Sequence, residues 1–312
     1  MAIYDNNRLV IKVCKLFYEN NMNQKEISVK LGISKPQVCR MITYAKENNI
    51  VKFTIDNPYT HEFSLEENLI KKYSLKEAFV FNINYKNESE AIEKLGKCCA
   101  KELDKYFKDN STIGVMSGRT ISAVSNYAHR LTRKGLVFVP LIGNPGTRGH
   151  NSHANIIAEN FAKKTGGSYL LLNAPLRLQN KKICEIIKSE PSISEVLKKG
   201  ASCDISLIGI GEISPSSTSY ICGAFNECDI KNLKKHNAVS SVCTSYISDT
   251  GEIIKNDLSE CSIGISLDKL SKSTTIAVST NLEKLNSIKA ALKSGYIDVF
   301  MTSLDIAEKL IK

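Results

Sequence analysis

Residues 23–55 read NQKEISVKLGISKPQVCRMITYAKENNIVKFTI, and this segment has the pattern of two short helices joined by a tight turn. Asn23 precedes one helix whose third residue is Glu26, and Ser34 precedes another whose third residue is Gln37. Both pairs have the spacing of a capping box, in which side chains and backbone N–H groups satisfy each other at a helix start. Two capped helices around a Leu-Gly-Ile turn predict a DNA-binding helix-turn-helix.

The apolar residues of the segment predict a small core behind this motif. Ile27 and Leu31 share one face of the first helix, and Val38, Ile42 and Ala45 share one face of the second. The motif can therefore fold as a packed unit.

The opposite face of the second helix is polar and cationic. We expect Gln37, Arg40 and Tyr44 to read base edges in the major groove, and Lys35 and Lys46 to contact DNA phosphates. The alternative is a plain helical hairpin with a charged solvent face, which is common in proteins.

Two further elements are expected around the motif. Residues 8–21 have the apolar spacing of a helix that would complete a three-helix bundle, and residues 50–55 have the composition of a short strand. The polar break near residue 58 places a domain boundary there, so we expect a helix-turn-helix domain over 1–57 and a larger domain over 58–312.

Composition agrees with a nucleic-acid partner. The 312 residues carry a formal charge of +10, a pI near 9.0 and 42% hydrophobic residues, enough for two cores. Residues 1–55 hold nine Lys or Arg against four Asp or Glu, so about half of the excess charge lies in the predicted DNA-binding domain.

The ten cysteines have neither Cys-x-x-Cys nor zinc-like spacing, and no signal segment precedes them. We therefore expect buried, reduced thiols in a cytoplasmic protein without metal or cofactor. No apolar run reaches the ~18 residues that a membrane-spanning helix needs, so no membrane partner is expected.

Beyond residue 60, short apolar runs alternate with amphipathic helical stretches. The runs expected as strands are 78–83, 112–116, 136–142, 168–172, 205–210, 275–278 and 297–301. Strands that alternate with helices predict a parallel sheet covered on both faces, an α/β sandwich.

Ligands of parallel sheets bind at the carboxyl ends of strands. The best such loop ends a predicted strand with Ser117, Gly118, Arg119 and Thr120 and leads directly into a helix. Hydroxyls, free backbone amides, a helix N-terminus and a guanidinium would together form a phosphate site. The alternative is that the Ser-Gly turn only caps the helix.

Other strand ends carry glycine turns that would share the same crevice. They include Gly143 with Asn144, and Gly209 with Gly211. Lys284 opens a late helix and would add a cation, although a solvated surface lysine is the simpler interpretation.

The chain resembles the SorC/DeoR-type sugar-binding transcriptional regulators over nearly its full length. The segments that carry the resemblance are QKEISVKLGIS (24–34), IVKF (50–53), IGVMSGRT (113–120), VPLIG (139–143), NAP (173–175), DISLIGIG (204–211) and AALKSG (290–295). The resemblance implies a regulator, expected to be a repressor, whose large domain is related in fold to sugar-phosphate isomerases. It also implies an effector domain that binds a phosphorylated sugar, and no catalysis.

By this resemblance, residues 117–120 would face the phosphate, Gly143, Gly209 and Gly211 would approach the ligand with backbone, and Lys284 would hold an anionic group. The chain departs from the family where it has Ser241 in place of an acid, Thr280-Asn281 in place of two glycines, and Thr302-Ser303 in place of Thr-Asp.

Three hypotheses follow. The leading one is a regulator that binds a double-stranded operator as a homodimer or homotetramer and is gated by a phosphorylated sugar. The second is a regulator that has lost its small-molecule response. The third is an isomerase- or deaminase-like enzyme, which would need positioned acids that Ser241 and Ser303 do not supply.

Overall fold

The computed structural model describes residues 7–312, except for the side chain of His150. The chain divides into two compact units, one ending at Pro58 and one running from Tyr59 to Lys312. The first unit contains α1 (Asn7–Cys14) with a π-helical turn (Lys15–Glu19), α2 (Gln24–Leu31) and α3 (Lys35–Glu47). Its core is formed by Val10, Val13, Ile27, Val38, Ile42 and Ala45, and the expected three-helix bundle is therefore confirmed.

Both capping boxes of the helix-turn-helix are confirmed. The Asn23 side chain accepts from the Glu26 N–H at 3.0 Å, and the Glu26 carboxylate accepts from the Asn23 N–H at 2.8 Å. Ser34 and Gln37 form the same reciprocal pair. Gly32 ends α2 with φ of 64°, a left-handed conformation that glycine adopts without steric cost. The two helices therefore meet in the tight turn that the sequence predicts.

The expected strand over residues 50–55 is wrong. The N–H groups of Ile50 and Val51 both donate to the Ala45 carbonyl, at 2.9 and 3.1 Å, and close the C-terminus of α3. The chain then continues without regular structure, and Ile55 is 86% exposed. Residues with high strand propensity form a strand only when they pair with a second strand. Among the described residues of this unit, no strand lies beside residues 50–55.

The second unit is built on a parallel sheet. Within residues 59–312 its seven strands are ordered β1-β11-β10-β5-β2-β3-β4. The strands of both sheets of this unit are β1 (Glu77–Phe81), β2 (Thr112–Val115), β3 (Val137–Pro140), β4 (Ser168–Tyr169), β5 (Ile205–Gly209), β6 (Gly211–Glu212), β7 (Ala238–Val242), β8 (Ser245–Ser248), β9 (Ile253–Ile254), β10 (Thr274–Val278) and β11 (Val299–Ser303). The α/β fold with a parallel sheet is confirmed, although the strand expected over 168–172 spans only two residues.

Helices cover both faces of this sheet. They are α4 (Thr60–Tyr73), α5 (Glu88–Glu102), α6 (Arg119–Tyr127), α7 (Ala154–Thr165), α8 (Lys181–Ser189), α9 (Pro191–Ala201), α10 (Thr218–Ile221), α11 (Glu227–Lys235), α12 (Asp257–Glu260), α13 (Leu285–Lys293) and α14 (Leu304–Ile311). Two large apolar cores result, one under α5–α7 and one around α4, α13 and α14. No helix within residues 7–312 is both long and apolar enough to cross a bilayer.

A second, antiparallel sheet in the order β6-β7-β8-β9 was not predicted from the sequence. Its strands are two to five residues long and carry the buried serines Ser240, Ser241, Ser245 and Ser248. Buried polar residues hide the alternation of apolar and polar side chains by which a half-buried strand is recognised. β6 follows β5 after one residue, so this sheet borders the carboxyl edge of the parallel one.

Candidate functional site

The exposed face of α3 is the candidate DNA-binding surface. Val38, Met41, Ile42 and Ala45 are buried on one side of this 13-residue helix. At ~100° per residue, the opposite side is centred on Arg40, with Pro36, Thr43 and Glu47 beside it. The Arg40 side chain is exposed, and its Nε donates a long hydrogen bond of 3.4 Å to the Pro36 carbonyl.

The other predicted base-reading residues lie on one flank of this face. Gln37 is half-buried, and its side-chain oxygen accepts from the Ser34 N–H at 2.9 Å as part of the capping box. Tyr44 is also half-buried and packs against the core. Thr43 is exposed three residues beyond Arg40, a spacing that could have identified it in the sequence.

The predicted phosphate-contacting lysines lie on the other flank. Lys35 and Lys46 are both exposed. The Lys46 ammonium lies 5.6 Å from the centre of the Phe53 ring, which itself packs edge-on against Tyr18. The aromatic contact restrains Lys46 without neutralising its charge.

A polar crevice in the second unit brings together most of the predicted effector residues. It lies at the carboxyl ends of β2 and β5, which are neighbours in the sheet. The residues that line it are Met116, Ser117, Gly118, Arg119, Thr120, Ile121, Gly209, Ile210, Gly211, Glu212, Ser217, Thr218, Ser219, Ser241 and Lys284.

The N-terminus of α6 forms one wall. Gly118 precedes this helix with φ of 140°, and no side chain among the described residues caps it. The Gly118 N–H donates to the Ser152 carbonyl at 2.8 Å, which fixes the turn, and the following residues 119–121 line the crevice. An uncapped helix start binds anions through free amides and the helix dipole.

The opposite wall is formed where the two sheets meet. Gly211 pairs with Ser241, and a Cβ at Gly211 would lie 2.5 Å from the Ser241 hydroxyl oxygen, so a larger residue there would have to displace this hydroxyl. Glu212 is buried, and its carboxylate accepts from the Ser216 hydroxyl at 3.1 Å. Sequence reasoning missed Glu212 as a site residue, although it directly follows the glycine turn.

Lys284 reaches the crevice from the turn before α13 and is half-buried. Burial lowers the pKa of its ammonium group and the nearby charge of Arg119 lowers it further, while Glu212 and Glu88 act in the opposite direction. Lys284 is therefore a partly desolvated cation, unlike a solvated surface lysine.

Gly143 and Asn144 lie outside the residues that line this crevice. The Gly143 N–H donates to Ile263 and the Asn144 N–H donates to Ala174, at 3.0 and 2.8 Å. A Cβ at Gly143 would lie 2.7 Å from the Ala174 carbonyl oxygen, so the close approach that requires glycine is to the chain itself.

All three departures from the family pattern have a visible place in the structure, and Asn281, in one of them, donates to the Glu88 carboxylate at 2.9 Å. Ser303 is buried and shares a 2.8 Å hydrogen bond with Thr280, so it lies within the fold. Ser241 lines the crevice. A helix-turn-helix with an exposed cationic face, in one chain with an α/β unit that has a polar crevice at its strand ends, is the build of a one-component transcription regulator.

Comparison with known proteins gives the family. Residues 57–312 match the Sugar-bind family of sugar-binding domains, and the chain belongs to it. It is 27% identical to the sorbitol operon regulator of Klebsiella pneumoniae, over 99% of each chain, and 25% identical to the deoxyribonucleoside regulator of Bacillus subtilis, over 98% of each.

Solved structures of the same kind of protein also match the chain. The full-length sorbitol operon regulator SorC from Klebsiella pneumoniae has a TM-score of 0.75 at 25% identity, covering 99% of each chain. A DeoR family transcriptional regulator from Listeria monocytogenes has a TM-score of 0.74 at 29% identity, covering 80% of this chain and 99% of its own. These relatives are transcriptional regulators and not enzymes, and the chain described here is a transcriptional regulator of the same family.

Proposed function

We propose that this regulator binds a double-stranded operator through α3 as a homo-oligomer, and that a phosphorylated sugar in the crevice of the second unit alters this binding. The observation that carries the effector half is the uncapped start of α6, with Arg119 and Lys284 beside it. Because its partner is chromosomal DNA, we place the protein in the cytoplasm.

The crevice supplies separate groups for a phosphate and for a sugar. The free amides at residues 119–121, the Thr120 hydroxyl and the Lys284 ammonium suit a phosphate. The Glu212 carboxylate and the Ser241 hydroxyl, on the opposite wall, suit the hydroxyls of a sugar. The names of the sorbitol operon and deoxyribonucleoside regulators agree with a sugar-derived effector.

A thermal-shift screen of phosphorylated sugars beside their unphosphorylated parents tests the effector. A ligand at 100 times its Kd stabilises by about 2.7 kcal/mol, which corresponds to roughly 5–10 °C for a domain of this size. Arg119→Gln should reduce the shift, whereas Arg130→Gln, which removes the same charge from an exposed loop outside the crevice, should not. A shift with unphosphorylated sugars alone would refute the phosphate assignment.

The oligomer follows from the size of the DNA contact. One short recognition helix reaches only a few base pairs, so a specific operator needs at least two copies. We expect a dimer or tetramer in light scattering, and a repressor in a reporter assay. A monomer that binds its operator tightly at micromolar concentration would contradict the proposed assembly.

One observation favours a second candidate, a regulator without small-molecule response. The Arg119 guanidinium already donates to the Glu88 carboxylate at 2.6 Å. One of the side chains proposed to bind phosphate is therefore paired with an anion of the protein itself. The absence of a thermal shift across the whole panel would favour this candidate.

A further inference from the structure

Glu88, the first residue of α5, connects three separate segments beside Arg119, a residue that lines the crevice. One of its carboxylate oxygens accepts from the Arg119 guanidinium at 2.6 Å and from the Asn281 side-chain amide at 2.9 Å. Arg119 begins α6, and Asn281 begins the turn that carries Lys284. This carboxylate therefore binds Arg119, which lines the crevice, and Asn281, which begins the turn that carries Lys284.

The backbone of Asn281 indicates that this contact is built into the fold. Asn281 has φ of 123° and ψ of 118°, a conformation that favours glycine and strains a residue with a side chain. Both ends of its side chain are used, because the amide nitrogen donates to Glu88 and the oxygen accepts from the Glu283 N–H at 2.8 Å. The strained residue is held where its amide meets the carboxylate.

The charges of the crevice are balanced in this arrangement. Arg119 and Lys284 are cationic, and Glu88 and Glu212 are carboxylates that act on Lys284. Burial alone would raise the pKa of Glu88, but the hydrogen bond and charge of Arg119, the Asn281 amide and the charge of Lys284 lower it. Glu88 is thus an ionised anion at neutral pH.

We propose that Glu88 is an internal competitor of the effector phosphate: it binds Arg119 and Asn281 when the crevice is empty, and an incoming phosphate must take Arg119 from it. This inference rests on the proposed phosphosugar function. A phosphate monoester with close to two negative charges can replace a single carboxylate. Every anion that needs Arg119 then loses affinity by the same factor, which is set by the fraction of the protein in which Arg119 is free of Glu88. Glu88 would therefore set the effector concentration at which the crevice fills.

Calorimetry on the full chain with Glu88→Gln tests the proposal. The probes are inorganic phosphate, glucose 6-phosphate and gluconate. An exposed ion pair is weak, so removing the competing charge should tighten the binding of both phosphates, and of gluconate if it uses Arg119, by the same factor of about three to ten. Glu93→Gln is the matched control, because Glu93 lies on the same helix and accepts from the Tyr127 hydroxyl at 2.6 Å. Its phosphate affinity should equal that of the wild type.

Asn281→Gly is a second variant that keeps every charge. Glycine adopts the same backbone without strain, and the loss of the amide loosens Glu88, so phosphate should bind about twofold tighter while the protein remains folded. A ligand role for Glu88 would instead make phosphate bind more weakly in Glu88→Gln.

The outcomes separate this inference from the proposed function. Binding of glucose 6-phosphate that Arg119→Gln weakens but Glu88→Gln leaves unchanged or reduces would overturn the competitor role alone. Failure of wild type, Glu88→Gln and Asn281→Gly to bind any of the phosphates would overturn both. Phosphate binding by Glu88→Gln but not by the wild type would support the competitor role most directly.

Discussion

Replacing Arg40 by alanine should change which DNA sequences the protein prefers. Arg40 is the centre of the exposed face of α3, and its one hydrogen bond among the described residues is the 3.4 Å contact to Pro36. Its terminal guanidinium nitrogens are therefore available for a bidentate contact to a guanine. Alanine is a better helix former than arginine, so the fold should lose little.

The expected loss of operator affinity is calculated from one such contact in each recognition helix. A bidentate base contact contributes about 1–3 kcal/mol of discrimination, or about 5- to 150-fold in affinity. Two copies on a two-fold operator would square this factor. Binding to random DNA should fall far less, because it depends on phosphate contacts that Lys35 and Lys46 supply.

Fluorescence anisotropy measures both the sequence preference and the phosphate-dependent affinity, if binding to the operator and to a shuffled duplex is followed over a range of salt concentrations. Lys46→Ala is the comparison, because it should lower the slope of log K against log salt by about one per contact and leave the preference between the two duplexes intact. Equal losses on both duplexes for Arg40→Ala would refute the base-reading role of Arg40.

Three further substitutions have defined outcomes. Ser34→Ala removes the hydroxyl that caps α3 and should destabilise the first unit by about 0.5–2 kcal/mol, seen as faster amide exchange in α3, and unchanged exchange would contradict the cap. Gly114→Ala places a Cβ 2.5 Å from a methyl group of the fully buried Leu141 and should cost the second unit about 1–3 kcal/mol, measured by urea unfolding, and an unchanged stability would contradict the tight packing. Because the pKa of Lys284 is lowered, its charged form disfavours folding at neutral pH, so Lys284→Met should raise Tm while abolishing phosphate binding. That gain should shrink as the pH rises through the lowered pKa towards the ordinary value for lysine, and a gain independent of pH would contradict the charge explanation.

The sequence was most informative where the structure depends on contacts between residues that are close together in the chain. Asn23 and Ser34 cap helices through contacts only three residues away, so their spacing alone predicted both helix starts. The error at residues 50–55 arose because strand propensity is local, whereas a strand depends on a partner that the sequence pattern does not reveal. The antiparallel sheet was missed because its buried serines resemble loop residues.

The crevice was predictable in part for a topological reason. Parallel strands end at one edge, so the loop at residues 117–120 and the glycines after β5 were expected to meet. Glu88 was not predictable, since its contacts are to Arg119 and Asn281, 31 and 193 residues away in the chain. A glycine at a strand end does not by itself predict a ligand contact. Gly143 lies close to the backbone of Ala174 and does not line the crevice.

The strand order of the large sheet has a consequence for synthesis. Strand β1 pairs with β11, and Glu77 lies opposite Val299. The hydrogen bonds between these two strands therefore cannot form until about 220 further residues have been synthesised. The helix-turn-helix, in contrast, has its own core within the first 58 residues. During synthesis on the ribosome, the helix-turn-helix unit can fold long before the second unit is complete. A nascent or prematurely terminated chain would therefore carry a folded DNA-binding unit that no effector could regulate.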